Sequence, residues 1–240
     1  MIDEDPHAAI RDEVRRLCAG FPGPYWRDLD REGAYPTAFV DALIEGGWLS
    51  ALIPEEYGGS GLPLSAAAAI LEEIQRAGCN GAACHAQMYI MGALLRHGSD
   101  AQKREYLPRI ASGALRLQAF GVTEPTSGTD TTALRTTARR EGDTYIVNGQ
   151  KIWTSRAEHS DLMLLLARTT PREQVVRRTD GLSVFLVDMR AVKGSSLTIR
   201  PIRTMMNHAT TEVFFDNMRI PATALIGEEG RGFRYVLSGM

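Results

Sequence analysis

The chain has 240 residues, a formal net charge of −2, 44% hydrophobic residues and 23% charged residues. This is the composition of a globular protein of one large or two ordinary domains, with enough apolar material for a sizeable core. The near-neutral balance excludes an electrostatic footprint for nucleic acid. No apolar run approaches the roughly 18 residues that a membrane span needs.

The acidic start, Met1-Ile-Asp-Glu-Asp-Pro6, is neither a secretory signal nor an Arg-rich transit peptide. Cys18, Cys79 and Cys84 are odd in number and fit no zinc spacing. They read as reduced thiols of a cytoplasmic protein, and no metal site is expected.

The first half reads as helices. Residues 7–19 carry Ile10, Val14, Leu17 and Cys18 on one stripe. Pro22-Gly23-Pro24 is expected to stop this helix. Pro36 suits the start of the next, which carries Phe39, Val40, Leu43 and Ile44 and ends at Gly46-Gly47. Trp48 to Leu62 is a loop by its Gly and Pro content. Helix 64–77 is expected to bury Ala67, Ile70, Leu71 and Ile74 and to turn Glu72, Glu73, Gln75 and Arg76 to water. Helix 82–96 is apolar nearly all round, which predicts a central position. His85 on it reads as a satisfied core or interface histidine. Ser99 and Gln102 form a capping box at the next helix, within which Pro108 predicts a kink.

After Gln118 the period changes to two. The candidate strands are 118–124, 132–140, 143–148, 150–155, 161–168, 182–188, 196–202 and 211–216, with turns at Glu141-Gly142-Asp143 and Asn148-Gly149. Strands this closely spaced predict an antiparallel sandwich or barrel. The polar interval 169–180 is expected to be an exposed loop.

Chemistry concentrates between Gln118 and Ser155. Thr123, Thr126, Ser127, Thr129 and the backbone around Gly128 put many donors at one corner, which suits the oxygens of a pyrophosphate. Trp153 offers a flat apolar face to a ring system, and Thr154 or Ser155 a hydroxyl to one of its heteroatoms. The plainer alternative is a polar turn followed by an ordinary core tryptophan.

Phe120-Gly-Val-Thr-Glu-Pro-Thr-Ser-Gly-Thr129-Asp130 resembles the first signature of the acyl-CoA dehydrogenases. Asn148-Gly-Gln-Lys-Ile-Trp-Thr-Ser155 resembles the second, at the expected distance. Residues 181–188, 206–221 and 226–240 are similar to later segments of the same family. The usual Gly-Ala-Gly-Ser of the first loop is replaced here by Thr126-Ser127-Gly128-Thr129, and Thr126 lacks the φ > 0 freedom of glycine.

The resemblance implies an α+β fold. An N-terminal all-α domain would occupy 1–117 and an antiparallel β-barrel or sandwich 118–222. Residues 223–240 would be a linker and the start of a C-terminal helical domain that lies beyond Met240. It implies FAD bound by Phe120, Gly121, Val122, Thr123, Glu124, Pro125, Thr126, Ser127, Gly128, Thr129, Trp153, Thr154 and Ser155. Thr129 would also touch the acyl-CoA, and Ser155 would hydrogen-bond the flavin ring.

The implied reaction is α,β-dehydrogenation of an acyl-CoA, with electrons passed to an electron-transfer protein. Oligomerisation is expected if the helical bundle is supplied. The glutamate base is expected beyond Met240, so the 240-residue chain alone is expected not to turn over. Glu124, Glu228 and Glu229 are not assigned to that role. Arg172, Arg177 and Arg178 are either a solvated face or a contact for the CoA phosphates. Two rival readings share the resemblance: a non-catalytic flavin- or CoA-binding subunit that needs a partner chain, and an oxidase or flavin monooxygenase of the same superfamily.

Overall fold

A computed structural model describes residues 5–239. The first four residues of the acidic start, and the expected continuation of the last helix at Met240, lie outside these. The described residues form seven α-helices and one eight-stranded sheet. The helices α1 (Ala8–Ala19), α2 (Gly23–Glu32), α3 (Thr37–Glu45), α4 (Leu64–Arg76), α5 (Ala82–His97) and α6 (Asp100–Ala111) come first. The strands β1 (Leu117–Gly121), β2 (Thr137–Glu141), β3 (Thr144–Ser155), β4 (Leu162–Arg168), β5 (Leu182–Asp188), β6 (Leu197–Pro201), β7 (Thr210–Pro221) and β8 (Leu225–Ile226) come next, and α7 (Gly232–Gly239) closes the described chain.

Helix α2 lies where the sequence suggests only a stop. Pro24 sits in its first turn, where a missing N–H costs nothing and the fixed φ is already helical. Its Tyr25 and Trp26 join Phe21 and Phe39 in edge-to-face contacts, with centroids 4.9–5.2 Å apart. Glu73 also departs from expectation. It is buried rather than turned to water, because α1 packs on α4 and brings Arg11 and Arg15 to its carboxylate at 3.3 and 3.2 Å. Helix α5 is central as its apolar circumference predicts, and packs against β1, α3, α4, α6 and α7. The capping box of α6 is formed, with Gln102 N donating to Ser99 Oγ at 3.2 Å and Ser99 N donating to Gln102 Oε1 at 2.9 Å.

The sheet runs β6-β7-β3-β2-β4-β5-β8, with β1 added on β4. Pairing is mostly antiparallel, but β1 lies parallel to β4, and β2 meets the end of β4 in parallel at Thr137 and Arg168. A period-two pattern does not encode strand direction. The Gly142-Asp143 turn joins β2 to β3 as expected. Asn148-Gly149 is not a turn: β3 runs straight through it to Ser155. Gly149 has φ +147, and a Cβ there would stand 2.7 Å from the Thr136 Cα, so only glycine lets the two backbones approach.

One apolar cluster is shared by α5, α6, β1, β4 and β5, and fixes the helices on the sheet. No helix among the described residues is long and apolar enough to cross a membrane.

Candidate functional site

The two signature segments meet at the end of β1. The loop leaving β1 turns sharply, with Glu124 N donating to Ser127 O and Ser127 N donating to Glu124 O, each at 3.1 Å. Thr126 needs no left-handed backbone in this turn, and neither does any residue from Pro125 to Thr129. β3 lies alongside, and Ile152 N donates to Thr123 O at 2.9 Å.

The strongest tie between the segments is Lys151. Period-two alternation puts it on the same inward face as Tyr145 and Val147, and it is fully buried. Its Nζ donates to Glu124 Oε1 at 2.8 Å and to Val122 O at 2.9 Å. The Glu124 carboxylate also accepts from Arg135 N at 2.6 Å and Thr136 N at 2.9 Å. Burial works to raise the Glu124 pKa, but the Lys151 charge and these hydrogen bonds outweigh it and hold the carboxyl below its ordinary range. Burial pulls Lys151 down to about 8, and the opposing charge and hydrogen bond of Glu124 limit that fall. The Glu124 carboxylate is thus engaged inside the protein, where it braces the loop.

A bulge on β3 sets the aim of Trp153. Lys151 faces Val213 and Thr154 faces Thr211, so β3 carries one residue more than β7 over this interval. Trp153 takes up the extra length at φ +59, and the residue is 57% exposed. A left-handed, solvent-facing tryptophan is costly on both counts, and such strain concentrates at functional sites. Thr154 points inward, with its Oγ1 buried and without a partner among the described residues. Ser155 is half-buried, and is the hydroxyl beside Trp153 that can be reached from outside.

Phe120 is half-buried, with its ring 6.0 Å from Tyr89, and Gly121 is buried beside Met163 and Leu165. Pro125, Thr126, Gly128 and Thr129 form an exposed rim. The N–H groups of Thr126, Gly128 and Thr129 have no acceptor among the described residues, and Gly128 faces open space. Ser127 Oγ is buried and without a partner there. A bare aromatic face, a reachable hydroxyl and a rim of free donors together fit a dinucleotide with a planar ring at one end.

The interval 169–180 is exposed as expected, and includes a short 3-10 turn at Arg172–Gln174. Arg178 approaches Asp130 of the first signature at 3.5 Å, and Arg172 joins the buried Arg168 on a separate cavity of about 680 Å³. Arg177 is exposed. His85 is exposed and tilted against Tyr89, which overturns the core position of the two, core or interface, that the sequence suggests. The apolar run around it conceals that it falls on the outer face of α5. Cys18, Cys79 and Cys84 are buried free thiols. Glu229 receives the Tyr145 hydroxyl. Lys151 and Arg156 are inward-facing groups that the motifs do not announce, although the alternation along β3 already marks the first of them.

Residues 4–114 match the acyl-CoA dehydrogenase N-terminal domain, and residues 119–218 match the acyl-CoA dehydrogenase middle domain. The cyclohex-1-ene-1-carbonyl-CoA dehydrogenase of Syntrophus aciditrophicus is 32% identical over 236 residues, which are 96% of this chain and 55% of that protein. The crystal structure of an acyl-CoA dehydrogenase from Geobacillus kaustophilus superposes with a TM-score of 0.88 at 28% identity, covering 99% of this chain and 62% of that one. A chain of the ChsE4-ChsE5 complex from Mycobacterium tuberculosis gives 0.84 at 32% identity, covering 99% and 60%. The chain therefore spans a little over half the length of such relatives. Two consecutive domain matches, and a fold shared from α1 to α7, show that the chain belongs to the acyl-CoA dehydrogenase family.

Proposed function

We propose that this chain supplies the flavin-binding corner of an FAD-dependent enzyme that desaturates an acyl-CoA thioester between its α and β carbons. The observation that carries the reading is the joining of the two signature segments by Lys151 and Glu124, which leaves the Trp153 face and the Ser155 hydroxyl side by side at the surface. FAD, when bound, would accept the hydride that leaves the β carbon.

The chain's own residues would orient the cofactor. Trp153 would pack on the ring, and Ser155 would donate to a heteroatom at its edge. The Thr126–Thr129 rim would take the pyrophosphate on its free N–H groups, with Thr129 also reaching the acyl-CoA. Phe120 to Glu124 and Thr154 would shape the floor beneath.

Removal of the α proton needs a base, which the family resemblance makes a glutamate. Glu124 is held by Lys151 and two backbone N–H groups, Glu229 accepts from Tyr145, and Glu228 is an exposed residue of the segment between β8 and α7 that joins neither signature. We therefore assign the base to residues outside those described, and expect the enzyme to act in an assembly and to pass its electrons to an electron-transfer protein. The 240-residue chain, loaded with FAD and given an acyl-CoA and an artificial electron acceptor, should bind its ligands without turnover. Sustained turnover would overturn the assignment of the base, and failure to bind FAD would overturn the whole reading.

A further inference from the structure

A second cavity, of about 870 Å³, opens between α2, the start of α5 and the segment before β7. Trp26, Leu29, Ala82, Ala83 and Met206 make much of its wall apolar. Arg156, the residue directly after Ser155, lies at its buried side and is only 7% exposed. The backbone accounts for that position: Arg156 has φ +57, and its N–H donates to Ala209 O at 2.7 Å, which turns the side chain away from the line of β3.

The guanidinium has no hydrogen-bond acceptor and no ion-pair partner among the described residues, and its Nε is buried and unsatisfied. Burial lowers its pKa, opposed only by the phenols of Tyr89 and Tyr35. His85 and His208 are both pushed toward the neutral form, by burial first and by the Arg156 charge second. Asp30, the carboxylate on the wall, is exposed and accepts from Asn207 N at 2.8 Å. A buried arginine without a counter-ion is costly, and such cations are almost always paired.

We propose that Arg156 is the receptor for a carboxylate carried on the far end of the substrate's acyl chain, so that the enzyme takes the CoA monothioesters of dicarboxylic acids. This rests on the acyl-CoA reading above. Arg27 and Arg31 also line the cavity but are exposed, so Arg156 is its one buried, unpaired guanidinium among the described residues. A partly apolar wall with that group at its buried side matches an alkyl chain ending in an anion, and guanidinium binds carboxylate through two parallel hydrogen bonds. Adjacency does the rest. Arg156 directly follows Ser155 in the chain, and its charge bears on Tyr89, whose ring lies 6.0 Å from Phe120 of the first signature, so the guanidinium adjoins the proposed flavin corner.

The test compares the affinities of the FAD-loaded protein for hexanedioyl-CoA and octanedioyl-CoA with those for hexanoyl-CoA and octanoyl-CoA, by calorimetry. At least one dicarboxylic ester should bind about 10- to 100-fold more tightly than its monocarboxylic match, the value of a charged hydrogen-bonded pair. Arg156→Gln should abolish the difference, and Arg156→Lys should keep part of it. Without ligand, Arg156→Gln should unfold no more readily than the wild type, because it removes an unpaired buried charge.

Equal affinities in the wild-type protein would overturn the inference and leave the acyl-CoA reading standing. A preference that persists in Arg156→Gln would also overturn it, as would a large loss of stability in that variant without any wild-type preference. If none of the four esters binds, the acyl-CoA reading falls and this inference with it. The wild-type comparison decides even if a variant fails to fold.

Discussion

The Lys151 ammonium lies 2.8 Å from Glu124 Oε1, with both side chains inside the protein and each on a different signature segment. This pair holds the loop after β1 against β3. Removing the cation leaves a buried carboxylate with backbone partners only. Lys151→Met should cost about 3–5 kcal/mol of stability by urea unfolding, and adding Glu124→Gln should recover part of it. The pH dependence has a definite sign. Glu124 has a folded pKa below its ordinary 4.5, so its contribution is present above that value and is lost as pH falls through the folded pKa. In Lys151→Met this acid limb should begin at higher pH.

Trp153 combines a left-handed backbone with an exposed ring. Its backbone should be less strained as glycine. Trp153→Gly should therefore be more stable than Trp153→Ala by about 1 kcal/mol, which chemical denaturation of the two proteins measures. The reverse order would mean that the bulge imposes no strain.

Gly149 meets Thr136 backbone closer than any Cβ permits, and Thr136 N is one of the donors to Glu124. Gly149→Ala should cost about 2 kcal/mol or more, through overpacking and a disfavoured φ. Hydrogen exchange of the Arg135 and Thr136 amides should quicken in step.

Helix α7 docks on α5 through Gly92, where a Cβ would collide with the Gly239 carbonyl oxygen. His97 Nε2 meets Ser238 Oγ at 2.7 Å on the same contact. Gly92→Ala should release α7, seen as faster exchange of the 232–239 amides with little change in the sheet.

Much of the fold is legible in the sequence because its helices and strands carry plain periodicities. The central place of α5 comes from its lack of a polar face, and the start of α6 from the Ser99–Gln102 box. Helix α2 is hidden because Pro22-Gly23-Pro24 reads as a breaker, and only the residues after a proline distinguish a first turn from a stop. Gly149 reads as a turn because glycine marks both turns and close backbone approaches. The burial of Glu73 and Arg156 is not legible, because charged residues are rarely buried, and for Lys151 the alternation along β3 marks the inward side but not the partner that makes burial tolerable. It depends on partners or cavities that the chain brings together over long separations. The donor-rich loop and the Trp153 segment are legible as chemistry. The ion pair that joins them, and the bulge that turns Trp153 outward, are tertiary facts.

The most direct test of the flavin-binding corner is a titration of the cofactor-free protein with FAD, monitored by quenching of flavin and tryptophan fluorescence. Saturable one-to-one binding is predicted, with a Kd of about 1 μM or below, weakened at least about tenfold in Trp153→Ala by loss of the ring contact. An absence of saturable binding, or equal affinity in Trp153→Ala, would contradict it.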